Sequence, residues 1–560
     1  MAALLLGPLL RHIGERDATI WVETDAPCEV EVRAGSDAAG GRERTFAVAG
    51  HHYALIQVTG LEPASSVTYD VLVDGVAVWP ESGSRFPPSR IRTIDPARPI
   101  RLIFGSCREA PPLRGKGGRP PDVLDSFANR MLSQHHEEWP DLLLLVGDQV
   151  YADYTTPGMQ AFIKSRRDIR RAPGTEVADF EEYTRLYLET WGEPTARWLL
   201  STLPSSMIFD DHDVRDDWNT SHAWRREMQR TDWWEERITG ALMSYWIYQH
   251  LGNLSLTRLA EEKMYATVRN VPDAEPELRD FAQQADREAD GAKGTMWSYR
   301  RDFGPVRLLV IDSRCGRILA NDRRSMISDP EFEWIESQVD DGGFEHLVVV
   351  TSMPWLLPRA LHDIESWNEA LAAGSRGRRL ARMAEWLRRA VDLEHWAAFR
   401  QSFDRLARLF ERVGKGEHGG SAPATICVLS GDVHHTYVSE ADYEQPLQSR
   451  VYQITCSPIN NTIPLPMRLV FRFGWSRKVE RVTRFLGRWS HVPPLPIQWH
   501  HPTGPHFGNM LARLTLDGRS ADIRLERSIR VDEDAVHEHR VGEDLAVTAE
   551  LSLTDAPRRT

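Results

Sequence analysis

LLLLVGDQVYAD, residues Leu142–Asp153, decides how the rest of the chain is read. Five apolar residues stop abruptly at Gly147-Asp148, and Tyr151 and Asp153 follow three and five residues after Asp148. A short apolar run closed by glycine predicts a buried strand. Its end delivers a carboxylate and a phenol to one place. That pairing suits a metal, because Asp is a hard bridging ligand and Tyr binds a trivalent ion as phenolate.

Working outward, the same pattern recurs in RLIF before Gly105, MIF before Asp210, VRLLVI before Asp312, HLVVV before Thr351, TICVL before Ser430 and VYQIT before Cys456. Long stretches of helical character separate these runs, which predicts an α/β domain over residues 100–527. Helical insertions are expected near residues 158–295 and 364–414, with Trp191, Trp198, Trp233, Trp234 and Trp246 buried against the domain. Ligands of an open α/β sheet bind beyond the carboxyl ends of its strands, so the polar residues there should share one crevice.

Residues 1–90 read differently. ATIWVET, EVEVRA and TYDVLVDG alternate apolar and polar residues, predicting an all-β sandwich of fibronectin/Ig-like type with Tyr69 locking a corner. PESGSRFPPSRIRTIDPARP, residues 80–99, is rich in Pro and Ser and supplies a linker over 91–99. Near the other end, GNMLARLTLDGRSADIRLERSIR predicts a hairpin turning at Asp517-Gly518, followed by a frayed acidic tail over 528–560.

Composition narrows the function classes. With 41% hydrophobic and 27% charged residues, a chain of 560 residues should fold as more than one globular unit. The net charge of -13 argues against a general binder of nucleic acid or anionic membranes. No transmembrane run and no basic leader are apparent, and five scattered cysteines lack framework spacing, so a cytoplasmic protein is expected.

Four strand ends carry the chemistry: FGSCR with Cys107, VGDQVYAD with Asp148 and Tyr151, FDDHDVRDDW from Phe209 to Trp218, and LSGDVHHTYVSE with Asp432, His434 and His435. Two cations about 3.5–4 Å apart need a bridging carboxylate and terminal N, O or S ligands. Asp148 would bridge, Cys107, Tyr151 and His434 would complete one ion, and Asp432 with an Asp of DDHD would hold the other. Thiolate plus phenolate favours iron(III) at the first site, and oxygen ligands favour calcium, magnesium or manganese at the second.

In type and order, GSC, GDQxYxD, DDHD and SGDVHH resemble the calcineurin-like metallophosphoesterases, specifically their alkaline phosphatase D (PhoD-like) branch, over residues 100 to about 460. The resemblance implies a four-layer α/β/β/α sandwich with Cys107, Asp148, Tyr151, Asp432 and His434 as ligands. Against the superfamily's Gly-Asn-His-Glu motif, Asp211 falls on the metal-binding Asn and His212 on the catalytic His; against the branch's own pattern, Asp216 takes the ligand position. Both alignments stand. Where many superfamily members carry a further His, Thr351-Ser352-Met353-Pro354 has none, which favours a hard second ion over zinc.

The expected activity is hydrolysis of phosphate mono- or diesters by a metal-bridging hydroxide, with His212 stabilising the transition state or protonating the leaving oxygen and His435 as the second candidate. Arg108 and Arg314 would bind phosphate oxygens or form structural ion pairs. Alternatives are a phospholipase D-like diesterase and a non-catalytic scaffold with a degenerate site. One further stretch, WSRKVERVTRFLGRW from Trp475 to Trp489, predicts an amphipathic basic helix with Trp475, Val479, Val482, Leu486 and Trp489 on its apolar face. It would dock on the domain, cap the cleft with cations or touch a membrane. His500, His501 and His506 are placed on a nearby loop as surface histidines or a separate metal site.

Overall fold

The computed structural model describes residues 2–35, 39–110, 121–291, 294–320, 323–461, 472–529 and 545–555. Its N-terminal region is β-rich. Strands β1 (Leu4–Ile13), β2 (Ala18–Thr24), β3 (Glu29–Ala34), β4 (Gly40–Arg44), β5 (Phe46–Val48), β6 (His51–Val58), β7 (Ser66–Val73), β8 (Val76–Trp79) and β9 (Arg90–Arg92) form antiparallel sheets in the orders β1-β2-β6-β5 and β4-β3-β7-β8, with β9 also on β7. The first residues of the expected linker are therefore a strand.

ATIWVET is buried along its whole length, although its alternation predicts one wet face. The wet face is covered by the first helical insertion. Trp21 lies 5.1 Å from the ring of Tyr248, and the buried Arg11 guanidinium donates to the carbonyl of Gln249 at 2.7 Å. Tyr69 is likewise no internal corner: its hydroxyl donates to the Ser201 carbonyl at 2.6 Å, pinning β7 to the helix Pro194–Thr202. One apolar core thus runs through both regions.

The main domain holds two larger sheets. Strands β10 (Ile100–Gly105), β11 (Leu142–Val146) and β12 (Ser205–Ile208) are parallel neighbours. Strand β10 then pairs antiparallel with β20 (Met510–Asp517), which turns into β21 (Ser520–Ser528) as the Asp517-Gly518 signal predicts. Residues Leu545–Ser552, expected in the frayed tail, form β22 on β21, because their alternating side chains complete that edge. The second sheet runs β13 (Tyr299–Phe303), β14 (Val306–Val310), β15 (His346–Val350), β16 (Thr425–Ser430), β18 (Arg450–Thr455), β17 (Thr436–Tyr443) and β19 (Ile497–His506). Its β14-β15-β16-β18 centre is parallel and wholly buried, as two-sided coverage requires.

Helices fill the insertions, among them Phe180–Trp191 and Trp234–Ser244 in the first and Arg359–Ala372, Arg378–Ala390 and Arg400–Gly414 in the second. Trp191, Trp198, Trp234 and Trp246 are buried and Trp233 partly so. Among the described residues no helix is long and apolar enough to cross a membrane. Arg477–Trp489 is a helix, but Val482 and Trp489 of its expected docking face point to solvent. It packs instead through Thr483, Gly487 and the following Ser490, whose small side chains allow close approach.

Candidate metal centre

Parallel register brings Gly105 beside Leu145 and Val146 beside Ile208. The next residues of three adjacent strands, Cys107, Asp148 and Asp210 to His212, therefore emerge side by side. From the other sheet, β16 leads into Asp432 and His434. The two strand-end groups are laced together: the Asp432 N–H shares the Ser106 hydroxyl at 3.1 Å, and Ser457 donates to the Cys107 sulfur at 3.1 Å.

Such convergence needs glycine at two turns. At Gly147, with φ of 107°, an added Cβ would lie 2.9 Å from that of Asp210, and at Gly431 it would collide with the Ser106 side chain. Cys107 (φ 57°), Asp148 (φ 50°), Asp432 (φ 68°) and His434 (φ 51°) all occupy the left-handed region. A residue held there costs on the order of 1 kcal/mol or more, and such strain gathers at functional sites.

Asp148, Asp210, Asp211 and Asp432 each place a carboxylate oxygen within 4.8 Å of the others, and Asp148, Asp211 and His212 form an overlapping group of three within the same distance. Among the described residues, neither buried Asp148 oxygen has a hydrogen-bond partner, and nor does Asp210 Oδ2. Burial, then the neighbouring thiol and carboxylates, push the Asp148 carboxyl well above the usual range. Arg314 offsets part of the charge, pairing with Asp210, with Asp211 at 3.0 Å and with Glu394 at 2.6 Å. Concentrated, desolvated acid of this kind costs several kcal/mol per unpaired ion. The donor set fits multivalent cations, which remove that cost.

The predicted residues fall into two groups. Cys107 is buried, and burial followed by the Asp432 charge raises its thiol to about 12, so a cation is needed to make it a thiolate. Tyr151 is buried beside it, its hydroxyl accepting from Asn461 at 2.9 Å and its ring stacked 4.6 Å from His212. Burial, followed by repulsion from His212, lowers the His434 imidazole to about 4, leaving it neutral with a lone pair to share. His212 Nδ1 bonds Asp153 Oδ2 at 2.9 Å. Burial disfavours the imidazolium, but Asp153 and Asp211 outweigh it and hold the pKa well above the ordinary histidine value.

Others lie apart. Asp216, like Cys107 and His434, is in neither metal-sized group, and its side chain is exposed on a cavity of about 850 Å³ shared with Asp153, Tyr154 and Trp386. His435 is buried with Nδ1 at 2.7 Å from the Val433 carbonyl and its ring stacked on Tyr437, which makes it a core imidazole. Arg108 is held by Asp122 at 2.8 Å and the Thr190 carbonyl at 3.1 Å through Nε and Nη1, while its buried Nη2 has no hydrogen-bond partner among the described residues. Arg314 binds carboxylates. His500, His501 and His506 sit on strand β19, with His501 on Ser439 at 2.8 Å, and among the described residues they join no metal-sized group.

Two further residues contribute. The motif alignments single out Asp211, yet Asp210, also of DDHD, lies in the same carboxylate group. His395 carries no signal in DLEHW, yet its Nε2 meets Asp432 Oδ2 at 3.0 Å and its Nδ1 meets Glu365 Oε1 at 2.6 Å. At β15, Thr351 accepts the indole N–H of Trp396 at 3.2 Å. The second insertion thus brings an imidazole to a region where the strand itself offers none.

A family model described as PhoD-like phosphatase matches residues 126–470, well over half the chain, and one described as a domain of unknown function (DUF7800) matches residues 1–91. Among solved structures, one titled as the structure of PhoD aligns with a TM-score of 0.57 at 12% identity, covering 98% of this chain and 93% of that one. A purple acid phosphatase, PPD1, from yellow lupin (Lupinus luteus) seeds aligns with a TM-score of 0.48 at 11% identity, covering 98% and 74%. No curated protein matches the chain. At its level of identity the PhoD alignment establishes the fold.

Proposed function

Because the chain belongs to the PhoD-like phosphatase family, we propose that it hydrolyses phosphate mono- or diesters at a binuclear metal site. The observation that carries this reading is Asp148, buried among three other carboxylates with neither oxygen partnered among the described residues. In this reading Asp148, Cys107, Tyr151 and His434 would hold an iron(III)-like ion, and Asp148, Asp211 and Asp432 would hold a calcium, magnesium or manganese ion. Cations there supply Lewis-acid neutralisation of the phosphate and lower the pKa of water. His212, oriented at Nδ1 by Asp153, donates a proton to the leaving oxygen. We read the two large sheets with their helices as the family's four layers, and the N-terminal sheets as a fibronectin/Ig-like sandwich.

Purified protein is expected to contain iron and to show a phenolate or thiolate charge-transfer colour, and chelation should abolish ester hydrolysis with restoration on adding metal. Colourless protein whose full hydrolytic activity survives exhaustive chelation sinks the metal reading. Tyr154 and Trp386, exposed on the cavity beside Asp153, favour a second reading in which the ester carries an apolar alcohol, as in a phospholipase D-like diesterase. A panel of monoesters and phospholipids separates the two.

His395 positions Asp432 in this scheme, with Glu365 fixing the ring from behind. His395→Ala is expected to weaken metal affinity about 10–100-fold, the usual cost of losing a group that orients a ligand. Metal titration followed by elemental analysis reads this directly, and an unchanged affinity removes His395 from the site.

A further inference from the structure

The helix Arg477–Trp489 turns Thr483 and Gly487 inward and Val482, Phe485 and Trp489 outward, with Val479 and Leu486 partly buried. Val482 is 59% exposed, Phe485 67% and Trp489 43%, while Thr483, Gly487 and Ser490 are buried. At 100° per residue, Lys478, Arg481, Val482, Phe485, Arg488 and Trp489 share one face, all exposed. Cationic side chains therefore flank an aromatic strip along about three turns. Glu480 is the helix's one acid, and it pairs with Arg484.

A second helix repeats the arrangement. On Arg378–Ala390, Arg379, Arg382, Met383 and Trp386 recur at three- and four-residue spacing and are exposed, Trp386 at 69%. Both helices pack against Arg359–Ala372. The Trp489 ring also carries the Arg376 guanidinium at 4.7 Å, and Arg382 and Trp386 also line the cavity beside Asp153.

We propose that the outward face of Arg477–Trp489 docks the protein on an anionic lipid bilayer. A helix of this type lies in the interfacial plane, with aromatic side chains at the acyl boundary and Lys and Arg among the phosphate headgroups. Charge complementarity selects that occupant. A second copy would set like-charged faces against each other. The chain's overall charge of -13 opposes approach to an anionic surface, so attraction comes from the local basic face, acting within a screening length of about 10 Å. The helix is also tied to the strand end beside the candidate ligands, because Trp475 packs 6.1 Å from His435 and 4.4 Å from His501. Docking would hold that strand end near the lipid surface. The inference is independent of the proposed hydrolysis.

Co-sedimentation of the full chain with vesicles tests it. Binding is expected to phosphatidylcholine vesicles containing phosphatidylglycerol and not to phosphatidylcholine alone, and it should weaken with salt. Phe485→Glu and Arg481→Glu, both at exposed helix positions, are each expected to reduce binding about tenfold or more with the circular dichroism spectrum unchanged. No binding to either vesicle overturns the proposal, as does wild-type binding by both variants. Retention on polyglutamate without vesicle binding overturns it in favour of an acidic protein partner. A dimer in sedimentation velocity that Phe485→Glu abolishes overturns it in favour of self-association.

Discussion

Asp148→Asn is expected to remove nearly all phosphoesterase turnover while the protein stays folded. Losing one preorganised oxyanion donor typically costs ~10²–10³-fold, and a carboxylate shared by two cations should cost more than that. Asn keeps the shape, so the left-handed backbone at φ 50° and the turn after β11 should persist. The charge is what changes. Without metal, the raised carboxyl of Asp148 makes the folded state bind a proton that the unfolded state has already released. Stability of the metal-free wild type therefore falls as pH rises from the ordinary carboxylate range towards the raised folded value. Asn has no proton to lose, so the metal-free variant should lack that contribution to the fall and melt higher than wild type near neutral pH. Added metal should raise the melting temperature of wild type far more than that of the variant. Near-normal turnover in Asp148→Asn would falsify the central role given to this residue.

The parts legible in sequence are those where local pattern and fold agree. Cys107, Asp148 and Asp432 follow apolar runs that end within two or three residues, and the parallel register of β10 and β11 and the course of β16 bring them together. Asp210, Asp211 and Asp216 could not be ranked by spacing alone. A single tight turn at Asp211–Asp213, fixed by reciprocal bonds between Asp210 and Asp213, directs Asp211 inward and leaves Asp216 on the cavity rim. His395 depends on where a long insertion returns to the sheet, information no local pattern holds. The 475–489 segment shows a different limit. Periodicity reports that a helix has an apolar face but not that this face turns inward, and here close packing of Thr483 and Gly487 decides the matter. Strand β22 was hidden by the acidic residues before it, since composition cannot reveal a vacant sheet edge.

His212→Ala is expected to lower kcat by about 10²–10⁴-fold, the usual worth of a positioned proton donor, with metal content retained. Its Nδ1 is engaged by Asp153, so one ring nitrogen remains for the carboxylate cluster, and that nitrogen has two candidate uses. As proton donor, it matters most for esters of weakly acidic alcohols. Loss in the variant should then shrink for a phenolic ester whose leaving group needs no protonation. As metal ligand, its removal should deplete metal and slow every ester alike. Asp153→Asn, which leaves the imidazole in place but weakens its orientation and its hold on the proton, should fall between wild type and His212→Ala and preserve the same leaving-group dependence. Equal losses across leaving groups together with lost metal would move His212 from proton donor to ligand. Asp153 acts in either case through the ring it holds, which is the task left unassigned when LLLLVGDQVYAD is read only as a strand ending in acid.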